Sequence, residues 1–340
     1  MTASGLETPA RADTSHEKDR LNKIQDPVRV DLDAVTREMT SSIFHDAPLV
    51  AQMGSHLMAM RGKMFRPTLV LLCSRTSDRP QSRNIVLAAA VELIHLATLV
   101  HDDAVDHSVL RRGMPTLNAL FTHQISVIMG DFLYSIALMK LVKLGDMRAL
   151  EALTRASTEM TVGEMRQLAV NDSLSFSEDD YYALIRSKTA SLMSAACEVG
   201  SLAGADEHRE ALIRFGDALG MAFQIADDLI DYTEAKETTG KPTGLDLKEH
   251  KVTLPLIAAL KVMSPAERAK VDALFADADP ADEDVAEVIA IVAVNGGLDY
   301  ARERGQSFAA EAREALGTLP DTVARQALLD SISYVMERHA

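Results

Sequence analysis

The residues best suited to chemistry in this chain are six aspartates in two short clusters of the same form. The clusters are Asp102-Asp103-Ala104-Val105-Asp106 and, 125 positions later (227 minus 102), Asp227-Asp228-Leu229-Ile230-Asp231. Each follows a long apolar run of helical character. On an α-helix, positions i and i+4 share a face and position i+1 lies about 100° away. Each cluster therefore presents paired carboxylate oxygens in one direction.

Two such clusters indicate a divalent-metal site. One copy would be weak evidence, since acidic runs at helix ends are usually solvated surface. Two copies in apolar surroundings are different, because burying carboxylates without a cation costs several kcal/mol each. Mg²⁺ prefers one or two carboxylates together with waters and substrate phosphates. The pattern predicts a diphosphate or triphosphate held between the clusters by Mg²⁺.

Composition predicts an all-α protein. The chain has 340 residues, of which 47% are hydrophobic and only 4% aromatic, with 16 Met and no Trp. Apolar residues recur at three- and four-residue spacing through most of the chain. No Gly/Ser-rich or Pro-rich linker interrupts the middle, so we expect one helical domain over residues 28–340. Residues 1–27 are polar, and we expect a disordered tail there.

The net charge and the cysteines exclude several classes of partner and location. A formal charge of −15 argues against nucleic acid and against general attraction to anionic lipid. Cys73 and Cys197 lie in apolar contexts, which predicts buried thiols in a reducing, cytoplasmic setting. The longest apolar stretch, residues 85–100, contains Glu92 and His95 and is shorter than a bilayer requires. We therefore expect no transmembrane segment.

An acidic protein that binds a polyanion needs a few well-placed cations. Lys63 and Arg66 follow Gly62 in a turn before a helix, where they could grip a phosphate or be ordinary surface cations. Arg111 and Arg112 come shortly after the first aspartate cluster, and their forked guanidiniums suit bidentate phosphate contacts.

Four further residues are candidates by position. His95 lies two helical turns before Asp102 on the same face, although a single histidine there is more often part of the core. Lys188 precedes an Ala-rich helix, and Gln224 lies one turn before Asp227. Lys241 lies in a Gly- and Pro-containing loop that could close over a ligand.

Together these motifs resemble the trans-isoprenyl diphosphate synthases, also called polyprenyl synthetases, of the medium- and long-chain type. The similarity runs from about residue 61 to the C-terminus. Its motifs are Gly62-Lys63-x-x-Arg66-Pro67, Ile94-His95-Leu96-Ala97-Thr98-Leu99-Val100-His101-Asp102-Asp103, Arg111-Arg112-Gly113, Gly130-Asp131-Phe132-Leu133, Ser187-Lys188-Thr189-Ala190, Phe223-Gln224-x-x-Asp227-Asp228-x-x-Asp231, Gly240-Lys241-x-x-Gly244-x-Asp246-Leu247 and Lys251-x-Thr253-Leu254-Pro255-Leu256.

The resemblance implies a fold, a reaction and a set of roles. The fold would be a bundle of roughly a dozen helices around a deep central cavity, in a homodimer. The reaction would be head-to-tail (1'-4) condensation of isopentenyl diphosphate with a geranyl, farnesyl or geranylgeranyl diphosphate. The six aspartates would hold three Mg²⁺ ions, for which Mn²⁺ could substitute.

The resemblance also distributes the other side chains among the substrates. Isopentenyl diphosphate would be held by Lys63, Arg66, His95 and Arg112. The allylic diphosphate would be held by Arg111, Lys188 and Lys241. Lys188, Thr189 and Gln224 would act on the reacting carbons. The sequence departs from the family pattern at Arg61, Met64 and His250, and none of these departures removes a metal ligand.

Small residues near the first cluster predict a long product. The growing tail must run from Asp102 toward the N-terminus of the same helix, past Ala97 and Thr98. In the family, bulky aromatic residues at these places limit short products, whereas Ala97 with Thr98 resembles geranylgeranyl and longer-chain enzymes. The alternative is that these two small residues only pack against a neighbouring helix.

Two rival functions remain open from sequence. A class I terpene cyclase shares the fold, but the family of cyclases predicts an Asn/Asp-x-x-Ser/Thr-x-x-x-Glu motif in place of the second aspartate cluster. A non-catalytic partner subunit of a heteromeric prenyl synthase usually loses its aspartates, and here all six are present.

Overall fold

A computed structural model describes residues 11–44, 46–77, 81–169, 173–233 and 243–337, and in these ranges the chain is almost entirely helical. The first helices are α1 (Arg11–Gln25), α2 (Arg29–Ile43), α3 (Pro48–Ala59), α4 (Phe65–Cys73), α5 (Arg83–Val105), α6 (Leu117–Leu120), α7 (His123–Leu144) and α8 (Met147–Leu168). They are followed by α9 (Glu178–Ile185), α10 (Ser191–Leu202), α11 (Arg209–Thr233), α12 (Leu245–Lys248), α13 (Leu254–Leu260), α14 (Pro265–Ala276), α15 (Asp282–Val294), α16 (Gly297–Ala315) and α17 (Val323–Met336).

Local sequence signals place the ends of the longer helices. The Thr122 hydroxyl accepts a hydrogen bond from the Ile125 N–H at the start of α7, and Gly145 ends that helix with a φ of 73°. Ser177 and Asp180 form a reciprocal capping box at the start of α9. These caps satisfy backbone groups that the helix itself leaves unpaired.

The core is built around α5, α10 and α11. Side chains on nearly all sides of α10 are buried, because α4, α8 and α11 surround it. Helix α5 packs on α7 and α4, and α16 packs along α11. Cys73 and Cys197 are buried free thiols in this core, as the sequence predicted. The all-α prediction is confirmed.

A short hairpin interrupts the helices just after α5. Strands β1 (Leu110–Arg111) and β2 (Met114–Pro115) pair in an antiparallel manner. The two residues between them, Arg112 and Gly113, have φ values of 53° and 74°. Positive φ at both positions is the type I′ geometry that matches the twist of a two-residue hairpin. The turn thereby fixes the backbone from which the Arg112 side chain projects.

A five-residue π-helix, Arg186–Ala190, joins α9 to α10. It fits tightly between two helices, because a Cβ atom at Gly220 would lie 2.5 Å from the Ala190 Cα and one at Gly163 would lie 2.8 Å from the Ser187 Cβ. Single turns of π-helix are uncommon and occur frequently at functional sites. This one carries Lys188 and Thr189.

The N-terminal prediction was wrong for residues 11–27. Helix α1 spans Arg11–Gln25, a short 3₁₀ turn follows, and Leu21 and Ile24 are buried in the core. The polar average of the segment concealed an apolar stripe at three- and four-residue spacing, which is sufficient to dock a helix. Residues 1–10 lie outside the described ranges.

Among the described residues, two helices, α5 and α7, are long and apolar enough to cross a membrane by length and composition alone. The length of the apolar helix was therefore underestimated from residues 85–100, because α5 extends over 23 residues. In α5 the most apolar window is 67% buried inside the protein, against 39% in α7. Helix α5 is thus a core helix of the fold.

Candidate active site

A cavity of about 710 Å³ lies where α5, α8, the π-helix and α11 meet the segment from α12 to α13. Many of the candidate residues line it. They are Arg66, His95, Thr98, Asp102, Asp106, Arg112, Lys188, Thr189, Gln224, Asp227 and Asp228. Side chains that are more than 120 positions apart in sequence thus face one space.

The first aspartate cluster divides between two tasks. Asp102 and Asp106 line the cavity, as their i, i+4 spacing predicted. Asp103 is 5% exposed and accepts hydrogen bonds from Arg111, whose Nε lies 2.9 Å from both carboxylate oxygens. The Asp103–Arg111 pair therefore ties the hairpin to the end of α5.

The second cluster also divides. Asp227 and Asp228 line the cavity, and Asp228 accepts hydrogen bonds from the Tyr181 hydroxyl at 2.6 Å and from Gln224 Nε2 at 2.9 Å. The Asp231 carboxylate accepts the backbone N–H groups at the start of α12, at 3.0 and 2.9 Å. Asp231 thus fastens the loop that follows α11 to the helix itself.

Burial and neighbouring acids raise the pKa of two carboxylates at the cavity, Asp102 and Asp228. Burial raises the pKa of Asp102 from 3.8 to about 6, with repulsion from Glu164 and Asp106 adding to the effect and Lys188 opposing it. Burial, followed by repulsion from Asp246, raises the pKa of Asp228 well above its usual value. A cation between these groups would relieve both effects.

The arrangement fits a hard divalent cation shared with a ligand. Within the described ranges, no three acidic, histidine or cysteine side chains converge into a ready metal cage. Instead, one carboxylate pair comes from α5 and another from α11, both at the same cavity. Mg²⁺ is typically bound by one or two carboxylates with phosphate oxygens and waters, so the donor set suits the ion when an anion bridges the pairs.

A cationic wall forms a second part of the cavity. An Arg66 N–H donates to His95 Nε2 at 3.1 Å. Burial, reinforced by Arg66, holds the pKa of His95 well below 6.5, so the ring is neutral and accepts this bond. An Arg112 N–H donates to the Met60 carbonyl at 2.8 Å, and the backbone of Gly62 lies against the guanidinium.

The buried Glu92 carboxyl interacts electrostatically with both arginines of the cationic wall. Burial raises the pKa of Glu92, while the positive charges of Arg66 and Arg112 oppose that rise. Burial also lowers the pKa of both arginines, with Glu92 opposing. Two guanidiniums are thus concentrated at one wall, where an anion would be attracted strongly.

A chain of hydrogen bonds links the π-helix to the second cluster. The Thr189 hydroxyl donates to Gln224 Oε1 at 2.7 Å, and Gln224 in turn donates to Asp228. Lys188 donates to Gln167 at 2.7 Å and forms an ion pair with Glu164. The position of Gln224, and the direction in which its amide oxygen and nitrogen face, are therefore fixed by partners on both sides.

Besides Asp103 and Asp231, three predicted site residues lie away from the described cavity wall. Lys63 forms an ion pair with Glu17 of α1. Arg111 is engaged by Asp103. Ala97 is 2% exposed within the core, next to Thr98 in the wall. Lys241 lies outside the described ranges.

Sequence reasoning gave no role to a group of residues in and just after α12 that also line the cavity. The group consists of Asp246, Glu249, His250 and Lys251. Burial opposes the charge on Lys251, but its hydrogen bond to Glu249 and the nearby acids outweigh that and raise its pKa. Two motifs in the sequence, Gly244-x-Asp246 and Lys251-x-Thr253, could have indicated that this segment contributes to the site.

His250 has an unusual backbone for its residue type. Its φ is 56°, the left-handed region in which glycine is favoured and in which the family usually has glycine. The ring packs on Phe275 with 5.5 Å between centroids, and its buried Nε2 has no hydrogen-bond partner among the described residues.

The comparisons with known proteins agree with this geometry. The family model described as Polyprenyl synthetase matches residues 47–292. The chain belongs to the polyprenyl synthetase family. It is 38% identical over 317 residues to the all-trans-nonaprenyl-diphosphate synthase (geranyl-diphosphate specific) of Rhodobacter capsulatus, covering 92% of this chain and 96% of that protein.

Other members of the polyprenyl synthetase family are similar over almost their full length. The octaprenyl diphosphate synthase of Escherichia coli (strain K12) is 35% identical over 94% of this chain and 99% of its own. The crystal structure of a decaprenyl diphosphate synthase from Rhodobacter capsulatus matches with a TM-score of 0.89 at 38% identity, covering 94% and 99% of the two chains.

A further solved structure, a polyprenyl synthase from Caulobacter crescentus CB15 complexed with calcium and isoprenyl diphosphate, matches with a TM-score of 0.88 at 35% identity, covering 94% of this chain and 98% of that one. The family and the isoprenoid synthase fold predicted from sequence are confirmed. The protein is a prenyltransferase of the polyprenyl diphosphate synthase type.

Proposed function

We propose that the protein is a Mg²⁺-dependent trans-polyprenyl diphosphate synthase that condenses isopentenyl diphosphate head-to-tail with an allylic diphosphate. The observation that carries the proposal is the division of one cavity into two walls of opposite character. Asp102, Asp106, Asp227 and Asp228 line one part, and Arg66 with Arg112 lines another. One diphosphate can bind at each wall.

The acidic wall suits the substrate that loses its diphosphate. Bound Mg²⁺, three ions by family resemblance, would neutralise charge on the leaving diphosphate, and Mn²⁺ could substitute. Lys188 contributes a cation at the same wall, and we assign Lys241 and Arg111 to the same substrate. Asp103 and Asp231 support this wall by fixing Arg111 and the start of α12.

The cationic wall suits isopentenyl diphosphate, which keeps its diphosphate throughout. Arg66 and Arg112 provide forked donors, and neutral His95 orients Arg66. Lys63 belongs to this substrate by family resemblance. Because this group is not expelled, these residues contribute binding and positioning rather than stabilisation of a leaving group.

The reacting carbons would lie between the walls. Ionisation of the allylic substrate leaves a cation that the double bond of isopentenyl diphosphate attacks, and a proton is then lost, in our proposal to the released diphosphate. Thr189 and Gln224 present fixed dipoles there, while Leu99, Leu192 and Phe223 line the cavity with apolar surface that keeps water from the cation.

We propose a product of geranylgeranyl length or longer. Thr98, one turn before Asp102, is a small residue in the cavity wall. Relatives at 32 to 38% identity include nonaprenyl, octaprenyl and heptaprenyl diphosphate synthases, and one at 33% identity is a short chain isoprenyl diphosphate synthase. The first three support a long product without fixing its length.

The test is an assay of the purified protein with Mg²⁺, labelled isopentenyl diphosphate and separate geranyl, farnesyl and geranylgeranyl diphosphate starters. Chromatography of the dephosphorylated products gives the chain lengths. We expect products of 20 or more carbons, the roughly four-unit minimum of a geranylgeranyl chain. A parent enzyme that stops at farnesyl diphosphate contradicts the length, and absence of any condensation with every starter contradicts the function.

A role as one component of a heteromeric synthase is the second candidate. The heptaprenyl diphosphate synthase component 2 of Bacillus subtilis (strain 168) is 32% identical over 91% of this chain and 88% of its own. The intact aspartates favour a catalytic chain over a silent one. Turnover by the purified chain alone is the expected result, and inactivity restored by a partner chain would favour the heteromer. We further propose a cytoplasmic location.

A further inference from the structure

Glu17, Lys63 and Tyr334 form a polar contact that joins α1, the turn before α4 and α17, here called the Glu17 clasp. Lys63 Nζ forms an ion pair with the Glu17 carboxylate. The Tyr334 hydroxyl donates to Glu17 Oε1 at 3.1 Å, and Lys63 Nζ lies 5.8 Å from the centroid of the Tyr334 ring. The clasp thus engages the ammonium of Lys63, which does not line the described cavity wall, whereas Arg66 of the same motif does.

The backbone of Lys63 is nevertheless next to the cationic wall. Its neighbour Gly62 lies so close to Arg112 that a Cβ there would be 2.5 Å from the guanidinium. The Lys63 carbonyl accepts a hydrogen bond from Gln25 Nε2 at 2.8 Å, which fixes the main chain. The four-carbon side chain, by contrast, is flexible, and it is 47% exposed. The side chain can therefore change its rotamer while the main chain stays fixed.

The clasp can open without undocking α1. The ion pair is partly exposed, and such pairs are weak because water screens them. The helix itself is held independently by buried Leu21 and Ile24 and by the hydrogen bonds of Gln25 to Lys63 and Thr68. A diphosphate carries more negative charge than a single carboxylate and would find Arg66 and Arg112 beside it.

We propose that Glu17 is a positioning residue that competes with the diphosphate of isopentenyl diphosphate for the Lys63 ammonium. The inference rests on the proposed function, and it adds that α1 sets the apparent affinity for this substrate. In the absence of substrate, the clasp holds Lys63 away from the cavity. When the substrate binds, Lys63 exchanges one anionic partner for another.

The first experiment compares Glu17→Gln with the parent in steady-state kinetics. Because the variant keeps the shape of the side chain but removes the competing charge, we expect the KM for isopentenyl diphosphate to fall about two- to fivefold, the range of an exposed ion pair. The kcat and the KM for the allylic diphosphate should be unchanged. Glu337→Gln is the matched control, because Glu337 pairs with Arg20 of α1 but does not contact Lys63 in the clasp.

The second experiment adds Glu17→Gln to a Lys63→Ala background. Lys63→Ala alone should raise the KM for isopentenyl diphosphate, and the second change should then have no further effect, because Glu17 acts through Lys63. An equal fall in KM in both backgrounds would overturn the proposal, as would an unchanged or raised KM for Glu17→Gln. A parent that makes no prenyl diphosphate would instead contradict the proposed function itself.

Discussion

At the scale of single residues, the cavity contains carboxylates whose charged form is disfavoured by burial. Asp102 is raised in pKa chiefly by burial, and Asp228 is raised by burial and by Asp246. Burial of such charged groups destabilises the folded protein when no opposite charge is present. In the proposed function, Mg²⁺ bound with a diphosphate would supply that opposite charge.

The first prediction concerns the charge of Asp227. Asp227→Asn keeps the size of the side chain but removes a negative ligand from the acidic wall, so the leaving diphosphate is less well compensated. We expect turnover to fall by roughly 10²- to 10³-fold, which corresponds to a barrier about 3–4 kcal/mol higher. Steady-state rates with saturating Mg²⁺ measure it.

Asp272→Asn provides the matched control for that change. Asp272 lies on α14, pairs with Arg268 and is exposed, and it has no place at the cavity. Its activity should equal that of the parent. Residual activity of Asp227→Asn within about tenfold of the parent would remove this residue from the proposed machinery.

The second prediction concerns pH and Asp102. Because its folded pKa, about 6, lies above the usual 3.8, the folded state binds this proton more tightly than the unfolded state. The stabilising contribution is complete below about pH 4 and is lost as the pH rises toward 6. The loss is at most about 3 kcal/mol, since one pKa unit corresponds to about 1.4 kcal/mol.

Comparison with Asp102→Asn isolates this effect. Without Mg²⁺, the free energy of unfolding of the variant should increase relative to that of the parent between pH 4 and 6.5, as measured by urea unfolding in chelator. Added Mg²⁺ should stabilise the parent more at pH 7.5 than at pH 5, because protons compete for the ligand. Parallel curves for parent and variant would contradict the raised pKa.

At the scale of elements, the single helix α5 carries both the proposed metal-binding end and the proposed tail-binding wall. Thr98 and Asp102 are one turn apart and both line the cavity. The adjacent Ala97 is buried in the core. The two residues were equivalent in the sequence argument, and the structure distinguishes them.

The third prediction follows from that difference. Thr98→Phe should shorten the product, because the ring would occupy the path of the tail while the first condensation remains possible. Ala97→Phe should also shorten it but should lower the free energy of unfolding by about 1–3 kcal/mol, because it overpacks the core. Chromatography of dephosphorylated products and urea unfolding measure the two effects. Unaltered product distributions in both variants would place the limit elsewhere.

At the scale of the whole molecule, α7 has an apolar face that the described residues of this chain leave uncovered. Ile128 and Val142 are each 65% exposed and Met139 is 50% exposed. Their spacings of 11 and 14 residues return to nearly the same side of a helix. A surface of this kind is typical of an interface, and we propose that a second copy of the chain covers it.

The fourth prediction tests this homodimer. Light scattering after size exclusion should give a dimer for the parent and a monomer for the double variant Ile128→Glu with Val142→Glu, because two charges would be buried in the interface. Lys143→Glu, on an adjacent and exposed side of the same helix, should remain dimeric. A monomeric parent, or a double variant that stays dimeric, would contradict the proposal.

The sequence by itself determined the helical class, the family and the first carboxylate pair, whereas the second pair was predicted as Asp227 with Asp231 and the cavity is lined by Asp227 with Asp228. Helical periodicity fixes the angle between residues three and four positions apart, so Asp102 with Asp106 could be placed on one face without knowledge of any neighbour. The motifs likewise identified Arg66, Arg112 and Gln224, which line the cavity. The polar composition of residues 1–27 predicted disorder and missed α1, because a few apolar residues at helical spacing are enough to dock that helix.

Only the tertiary structure decided which partner each side chain meets. Asp103 binds Arg111, Asp231 caps α12, and Lys63 pairs with Glu17. These contacts join segments between 8 and 46 positions apart, and no periodic rule relates residues across such distances. Periodicity gives the direction in which a side chain leaves its own helix, whereas its charge balance depends on whatever the packing of other elements brings opposite to it.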